Sequence, residues 1–235
     1  MTDGHFDLNN DNREKITDCH LIQDHPIMPK TTTPPISSMQ VELLETHKLY
    51  HGFFQLFRYR LRYQRFDGHM SQEVTLEALE RGDAVAVLAY DPHTDLVGLI
   101  QQFRIGPHLR ENQGWCWEIV AGSCRSEEAY SKVAEREVAE EAGWSIQTLR
   151  HILTYYLSPS GSTERIHLFL ALFDSQIPPQ GGGGLLCEAE DIHPQILPFP
   201  DAWTMVENGS IHSGTAILAL QWLAMHRAKL QHGDY

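Results

Sequence analysis

Between Phe57 and Tyr63 the chain alternates strictly: Phe57, Tyr59, Leu61 and Tyr63 on one side, Arg58, Arg60 and Arg62 on the other. A period of two is the pattern of a half-buried strand. The arginine side reads as a solvated face or one paired with acids of this chain or a second one; contact with phosphate is the sharper alternative. The β-like patterning begins at Val41. GDAVAVLAYD and DLVGLIQQFRI are two apolar strands joined by DPHTD, which predicts a hairpin. CWEIVAG predicts one short strand ending at Gly122. The pattern then changes to a helical one over residues 127–142, with Ala129, Val133, Ala134, Val138 and Ala142 as its buried stripe. Ser126 is its expected N-cap and Gly143 its expected C′ residue. Strands are expected near 149–157 and 165–173, and helices near 200–207 and 215–229. Between them, residues 175–190 contain Pro178, Pro179 and Gly181 to Gly184 and read as a flexible loop. Mixed strands with helices between them imply an α/β sandwich.

Composition narrows the function. The chain has 235 residues and a net charge of −13. That charge argues against a nucleic-acid surface, which needs clustered Lys and Arg. A protein so acidic that handles a polyanion needs a local basic site or a bound cation. Cys19, Cys116, Cys124 and Cys187 have no zinc-ligand spacing and read as scattered, reduced thiols. Residues 1–38 are polar, end in KTTTPPISS and read as a mobile or loosely packed tail. His5, His20 and His25 in it lack partners at ligand spacing. No apolar leader and no membrane span is expected, so the cytoplasm is the expected location.

The helix over 127–142 carries the chemistry. Glu137 and Glu141 are four residues apart and share a face. Like charges at that spacing cost about 0.2–0.5 kcal/mol, and the helix dipole disfavours anions late in a helix. Arg136 lies four before Glu140 and can pair with it, leaving Glu137 and Glu141 with no obvious local cation. Alone, such a face reads as a solvated acidic surface. A hard divalent cation would remove the repulsion.

The surrounding pattern decides between them. Gly122 is followed after five residues by Glu128, and after seven more by Arg136-Glu137-Val138-Ala139-Glu140-Glu141-Ala142-Gly143-Trp144. This resembles the Nudix box, G-x5-E-x7-R-E-U-x-E-E-x-G-U with U apolar, at every fixed position. The resemblance implies the Nudix α/β/α sandwich with a mixed sheet. It also implies Mg²⁺- or Mn²⁺-dependent hydrolysis of a nucleoside diphosphate linked to another group. Within the superfamily, residues 40–235 look most like the bacterial ADP-ribose pyrophosphatases. The stretches that carry the likeness include LIQQFRI, SPSGSTER, CEAEDI and GTAILALQWLAMH.

By that resemblance, the metal ligands are the Ala121 carbonyl, Glu137, Glu141 and Glu190, and Glu188 is the general base. Glu140 would be a further or water-mediated ligand, and Glu128 would orient Arg136. Arg104, read from the pattern as a mid-strand residue, would contact the diphosphate. Phe53 and Phe54 would stack the adenine, and Glu77, Arg81, Ser158 and Glu164 would make further substrate contacts. The likeness implies a homodimer: residues 39–80 form a dimerising N-terminal β segment whose strands exchange between subunits, and 81–235 form the Nudix domain. Four residues depart from the subgroup. Leu76 stands where an arginine is common, Glu127 and Ser160 replace glycines, and Trp144 is bulky for its position. The implied reaction splits ADP-ribose into AMP and ribose 5-phosphate. Another nucleoside diphosphate sugar, a dinucleotide, or a non-catalytic ligand sensor are the alternatives. The full set of box acids with Glu188 and Glu190 favours the enzyme, because a pure binder needs no base.

Overall fold

A computed structural model of the protein describes residues 38–124 and 127–233 and lays the strands out in two sheets. The first is antiparallel, in the order β1 (Val41–His51), β2 (Gln55–Tyr63) and β3 (Val74–Glu80). The arginine face of β2 is paired with acids of the same chain: Arg58 with Glu77 at 2.8 Å, Arg60 with Glu45 and Glu73 at 2.6 Å each, and Arg62 with Glu42 at 3.7 Å. These exposed pairs stabilise little individually. They do explain how an arginine stripe sits in an acidic protein without a ligand. The sheet joins the rest of the chain at Leu79, which bridges to Ser162, accepts from the Thr163 N–H and donates to the Gly161 carbonyl.

The second sheet has seven strands: β4 (Asp83–Asp91), β5 (Leu96–Phe103), β6 (Trp115–Glu118), β7 (Val120–Ser123), β8 (Ile146–Tyr156), β9 (Arg165–Phe173) and β10 (His193–Pro198). Its order is β10-β5-β4-β9-β8, with β6 on β5 and β7 on β4. Only β4 and β9 run parallel, so the sheet is mixed. The helices are α1 (Ile105–Glu111), α2 (Tyr130–Glu137), α3 (Phe199–Glu207) and α4 (Gly214–Gln231). Alternate residues of the central strands face two cores. Ala86, Leu88 and Tyr90 of β4, with Leu168 and Leu170 of β9, pack on Phe199 and Ala202 of α3 and Leu220 and Leu223 of α4. Val85, Val87 and Ala89, with Phe169 and Ala171, pack on Val133 and Ala134 of α2. Full burial of each large apolar side chain contributes about 1.5–3 kcal/mol, so a one-residue slip of β4 is strongly disfavoured. The result is an α/β/α sandwich. No helix among the described residues is long and apolar enough to cross a membrane.

Several elements differ from the sequence reading. The hairpin forms, but β4 and β5 pair only from Ala89↔Gly98 to Asp91↔Leu96. Elsewhere CWEIVAG serves both strands, breaking at the buried Ile119 so that β6 follows β5 and β7 follows β4. Arg104 lies just past β5, at the N-cap of α1, and not in mid-strand. Helix α1 has no buried residue and therefore no apolar stripe to read. Strand β10 carries Pro194 and Pro198, which an end strand tolerates. Helix α2 starts at Tyr130 with Ala129 exposed at its N-cap, so Ala129 is not in the buried stripe. The expected N-cap Ser126, the tail up to residue 37, His5, His20, His25 and Cys19 lie outside the described residues.

Candidate active site

Glu137 ends α2, and the chain continues directly into a π-helical turn, Val138–Ala142. The Gly143 N–H reaches back five residues to the Val138 carbonyl at 2.9 Å. Gly143 then closes the turn in a left-handed conformation, φ 67°. Single π turns inside helices mark functional sites in many folds. Here the turn carries Glu140 and Glu141.

The acids do not point into solvent. Glu137 is 9% exposed and Glu141 3%. Gly122 makes room for the first: a Cβ there would lie 2.0 Å from Cδ and Oε1 of Glu137. Glu141 Oε2 accepts the Ala121 N–H at 3.2 Å. Burial pushes the Glu141 carboxyl up to about 9, opposed by that N–H and reinforced by the charges of Glu137 and Glu190. Burial raises Glu137 too, against the pull of Arg136. The expectation that Glu137 lacks a local cation is therefore corrected. Arg136 Nη1 folds back to Glu137 Oε1 at 2.8 Å while also meeting Glu140 at 2.9 Å, and its Nε lies 3.6 Å from Glu128. Helical i,i+4 reasoning finds Glu140 but not an adjacent residue reached by a long side chain.

The loop after β9 is bonded to this turn. Gly183 N–H donates to the Glu141 carbonyl at 2.9 Å, Gly184 N–H to that of Glu140 at 3.0 Å, and Gln180 N–H to that of Gly143 at 2.9 Å. All four glycines have positive φ, and a Cβ on Gly182 would lie 2.6 Å from the Ala142 carbonyl carbon. At Gly184 a Cβ would lie 2.6 Å from the Glu190 Cβ, while at Gly181 and Gly183 it would meet nothing closer than 3.7 Å, so close approach is required at Gly182 and Gly184. A 3-10 turn, Leu186–Glu188, follows and leaves Glu188 exposed. Ala189 is left-handed, φ 57°, and Glu190 Oε2 accepts the Leu185 N–H at 3.0 Å.

The oxygen donors Glu137, Glu141 and Glu190 suit a hard divalent cation. Among the described residues no three acidic, histidine or cysteine side chains are gathered tightly enough to hold an ion alone. A hard divalent cation such as Mg²⁺ uses one or two carboxylates and takes waters and substrate phosphates for the rest of its shell.

The substrate residues expected from sequence fall in separate places. Arg104 pairs with Glu118, Nη2 to Oε2 at 2.8 Å, and Gln102 donates to the same oxygen at 3.1 Å. Sequence reasoning missed Glu118; its signal was an acid inside the apolar run CWEIVAG. Where the two sheets meet, the Arg81 guanidinium lies 4.8 Å from the Phe54 ring and 5.7 Å from that of Phe53, and 3.3 Å from Glu164. Phe53 is 89% exposed. Ser158 heads the turn before β9, its carbonyl accepting from Gly161 and Ser162. Glu77 is engaged with Arg58, and with Leu76, Tyr59 and Tyr156 it lines a cleft of about 430 Å³. Two departures have structural reasons. Trp144 is buried against Phe173, in space that Gly98 leaves free: a Cβ there would sit 2.4 Å from the indole. Glu127 holds a left-handed backbone, φ 73°, where a glycine fits without strain.

Residues 80–214 match the NUDIX domain family. The ADP-ribose pyrophosphatase of Escherichia coli strain K12 is 38% identical over 82% of this chain and 91% of its own. That of Haemophilus influenzae is 40% identical over 83% and 91%. The GDP-mannose pyrophosphatase of Pectobacterium atrosepticum is 32% identical over 80% and 93%. A crystal structure of an ADP compounds hydrolase superposes with a TM-score of 0.63 at 16% identity, covering 83% of this chain and 97% of that one. At that identity the likeness bears on the fold alone. The sandwich, the box and these relatives define an enzyme of the pyrophosphohydrolase class. The chain belongs to the NUDIX family.

Proposed function

We propose that this enzyme hydrolyses the diphosphate of ADP-ribose to AMP and ribose 5-phosphate, with Mg²⁺ as cofactor and Mn²⁺ as its substitute. The observation that carries the reading is the buried Glu137/Glu141 pair beside Gly122, with the glycine stretch that leads to Glu188 and Glu190 bonded to the same turn. The names of the relatives at 38% and 40% identity support this substrate. Glu137, Glu141, Glu190 and the Ala121 carbonyl would hold the cation. When bound, it would neutralise diphosphate charge and polarise the P–O bonds. Glu188 takes a proton from water as the water oxygen attacks phosphorus and the bond to the bridging oxygen breaks. Arg104 exchanges Glu118 for a diphosphate oxygen. Phe53 and Phe54 stack the adenine, and Glu77, Arg81, Ser158 and Glu164 hold the rest. The working form is a cytoplasmic homodimer.

A second reading is another nucleoside diphosphate sugar. It is favoured by Leu76, which puts an apolar side chain in the cleft where the subgroup commonly has arginine, and by the GDP-mannose relatives. Turnover against a panel of nucleoside diphosphate compounds, with Mg²⁺ and with Mn²⁺, tests both. The proposal expects the highest kcat/KM for ADP-ribose. A higher value for another sugar moves the assignment to that sugar, and no turnover of any compound overturns both readings.

A further inference from the structure

On the face of the second sheet opposite α2, a cleft of about 510 Å³ lies between the end strand β8 and the C-terminal half of α4. Arg150 and Ile152 line it from β8, and Trp222, His226, Lys229 and Leu230 from α4. Among the described residues no carboxylate lines it. The His226 ring stacks on Trp222 at 4.2 Å, and its Nδ1 donates to the Trp222 carbonyl at 2.7 Å, which orients the imidazole against the indole.

The cations are what set this cleft apart. Of the fourteen Lys and Arg side chains among the described residues, ten lie within 4.0 Å of a carboxylate. Lys48, Arg110, Arg150 and Lys229 do not, and Lys48 lies over the Phe57 ring. Two of the three remaining cations share this one cleft. In a chain of net charge −13, two unpaired cations facing one concavity make a local positive field that attracts an anion. A guanidinium and an ammonium together suit phosphate oxygens. Ile152, Leu230 and the Trp222 ring offer an apolar wall to whatever the phosphate is attached to. The volume falls in the range of small-molecule sites.

We propose that this cleft is a second ligand site that takes a phosphomonoester of mononucleotide size. The phosphate sits between Arg150 and Lys229, and the body of the ligand lies against Trp222, Ile152 and Leu230. The site does not depend on the reaction proposed above, since none of its residues belongs to the catalytic face.

Calorimetric titration in EDTA tests it with three probes: AMP, adenosine and inorganic phosphate. AMP is expected to bind, inorganic phosphate to displace it, and adenosine to bind far more weakly. The double variant Arg150→Gln/Lys229→Gln should weaken AMP at least about tenfold, the loss of charge-assisted hydrogen bonds. Arg150→Lys should recover part of what Arg150→Gln loses. Both side chains are exposed, so the variants are expected to fold. Unchanged AMP affinity in the double variant, adenosine binding as tight as AMP, or no AMP binding at millimolar concentration would each overturn the proposal.

Discussion

At the scale of single residues, Glu141 is the most costly group in the site. Its folded pKa, about 9, stands above the 4.5 of an unperturbed glutamate because burial opposes its charge. A group raised in this way contributes stability that is complete below 4.5 and is lost as pH rises through about 9. The metal-free protein should therefore melt at a lower temperature at alkaline pH than at mildly acidic pH. Glu141→Gln should flatten that dependence, and Mg²⁺ should reduce it in the wild type. Parallel melting curves for wild type and variant across this range would count against the assignment. Glu127 makes a second case. Replacing it with glycine relieves a left-handed backbone, worth about 0.5–1 kcal/mol after glycine's own entropy cost. Denaturant midpoints at unchanged slope would measure the gain. The place of a glycine there was legible in the likeness to the subgroup; the reason was not, because a dihedral angle is invisible in a sequence. Trp144 likewise read as an anomaly, since the residue that accommodates it, Gly98, lies in a distant strand.

At the scale of elements, the helix over 127–142 was legible from its apolar stripe, and Val133, Ala134, Val138 and Ala142 are buried as read. The π turn was not, because it shifts hydrogen bonds by one residue without changing which side chains are apolar. Helix α1 was missed for the opposite reason: it buries nothing. In the loop that follows β9, the base and a metal ligand are proposed two residues apart, separated by the left-handed Ala189. Glu188→Gln should lower kcat by about 10²–10⁴-fold with substrate affinity nearly kept. Glu190→Gln should in addition raise the Mg²⁺ concentration needed for half-maximal rate. Wild-type kcat in Glu188→Gln, with chemistry rate-limiting, would move the search for a base to Glu164.

At the scale of the whole molecule, the period-two pattern marked β2, and apolar runs marked β4, β5, β8 and β9; β10 was not anticipated. Nor was the separation of the strands into a three-stranded and a seven-stranded unit. Sheet membership depends on pairing between distant segments, such as β4 with β9, which no local pattern encodes. The first sheet leaves Val41, Leu43, Tyr50 and Tyr63 exposed. The proposed homodimer would cover these apolar side chains. Light scattering at micromolar concentration should give twice the chain mass, and breaking the assembly through Leu43→Glu or Tyr50→Glu should reduce turnover. A fully active monomer would rule this out.

The seam between the glycine loop and the π turn offers an atomic-scale gauge of the catalytic face. The amide protons of Gly183 and Gly184 are tied to the carbonyls of Glu141 and Glu140, the residues beside which a cation would settle. Any excursion that frees the loop exposes those two protons to solvent at the moment the acids lose their backing. Their exchange with deuterium therefore counts openings of the site directly, without substrate and without turnover. Mg²⁺ should slow both amides together, by the same factor. If they slow independently, the loop and the turn open as separate pieces.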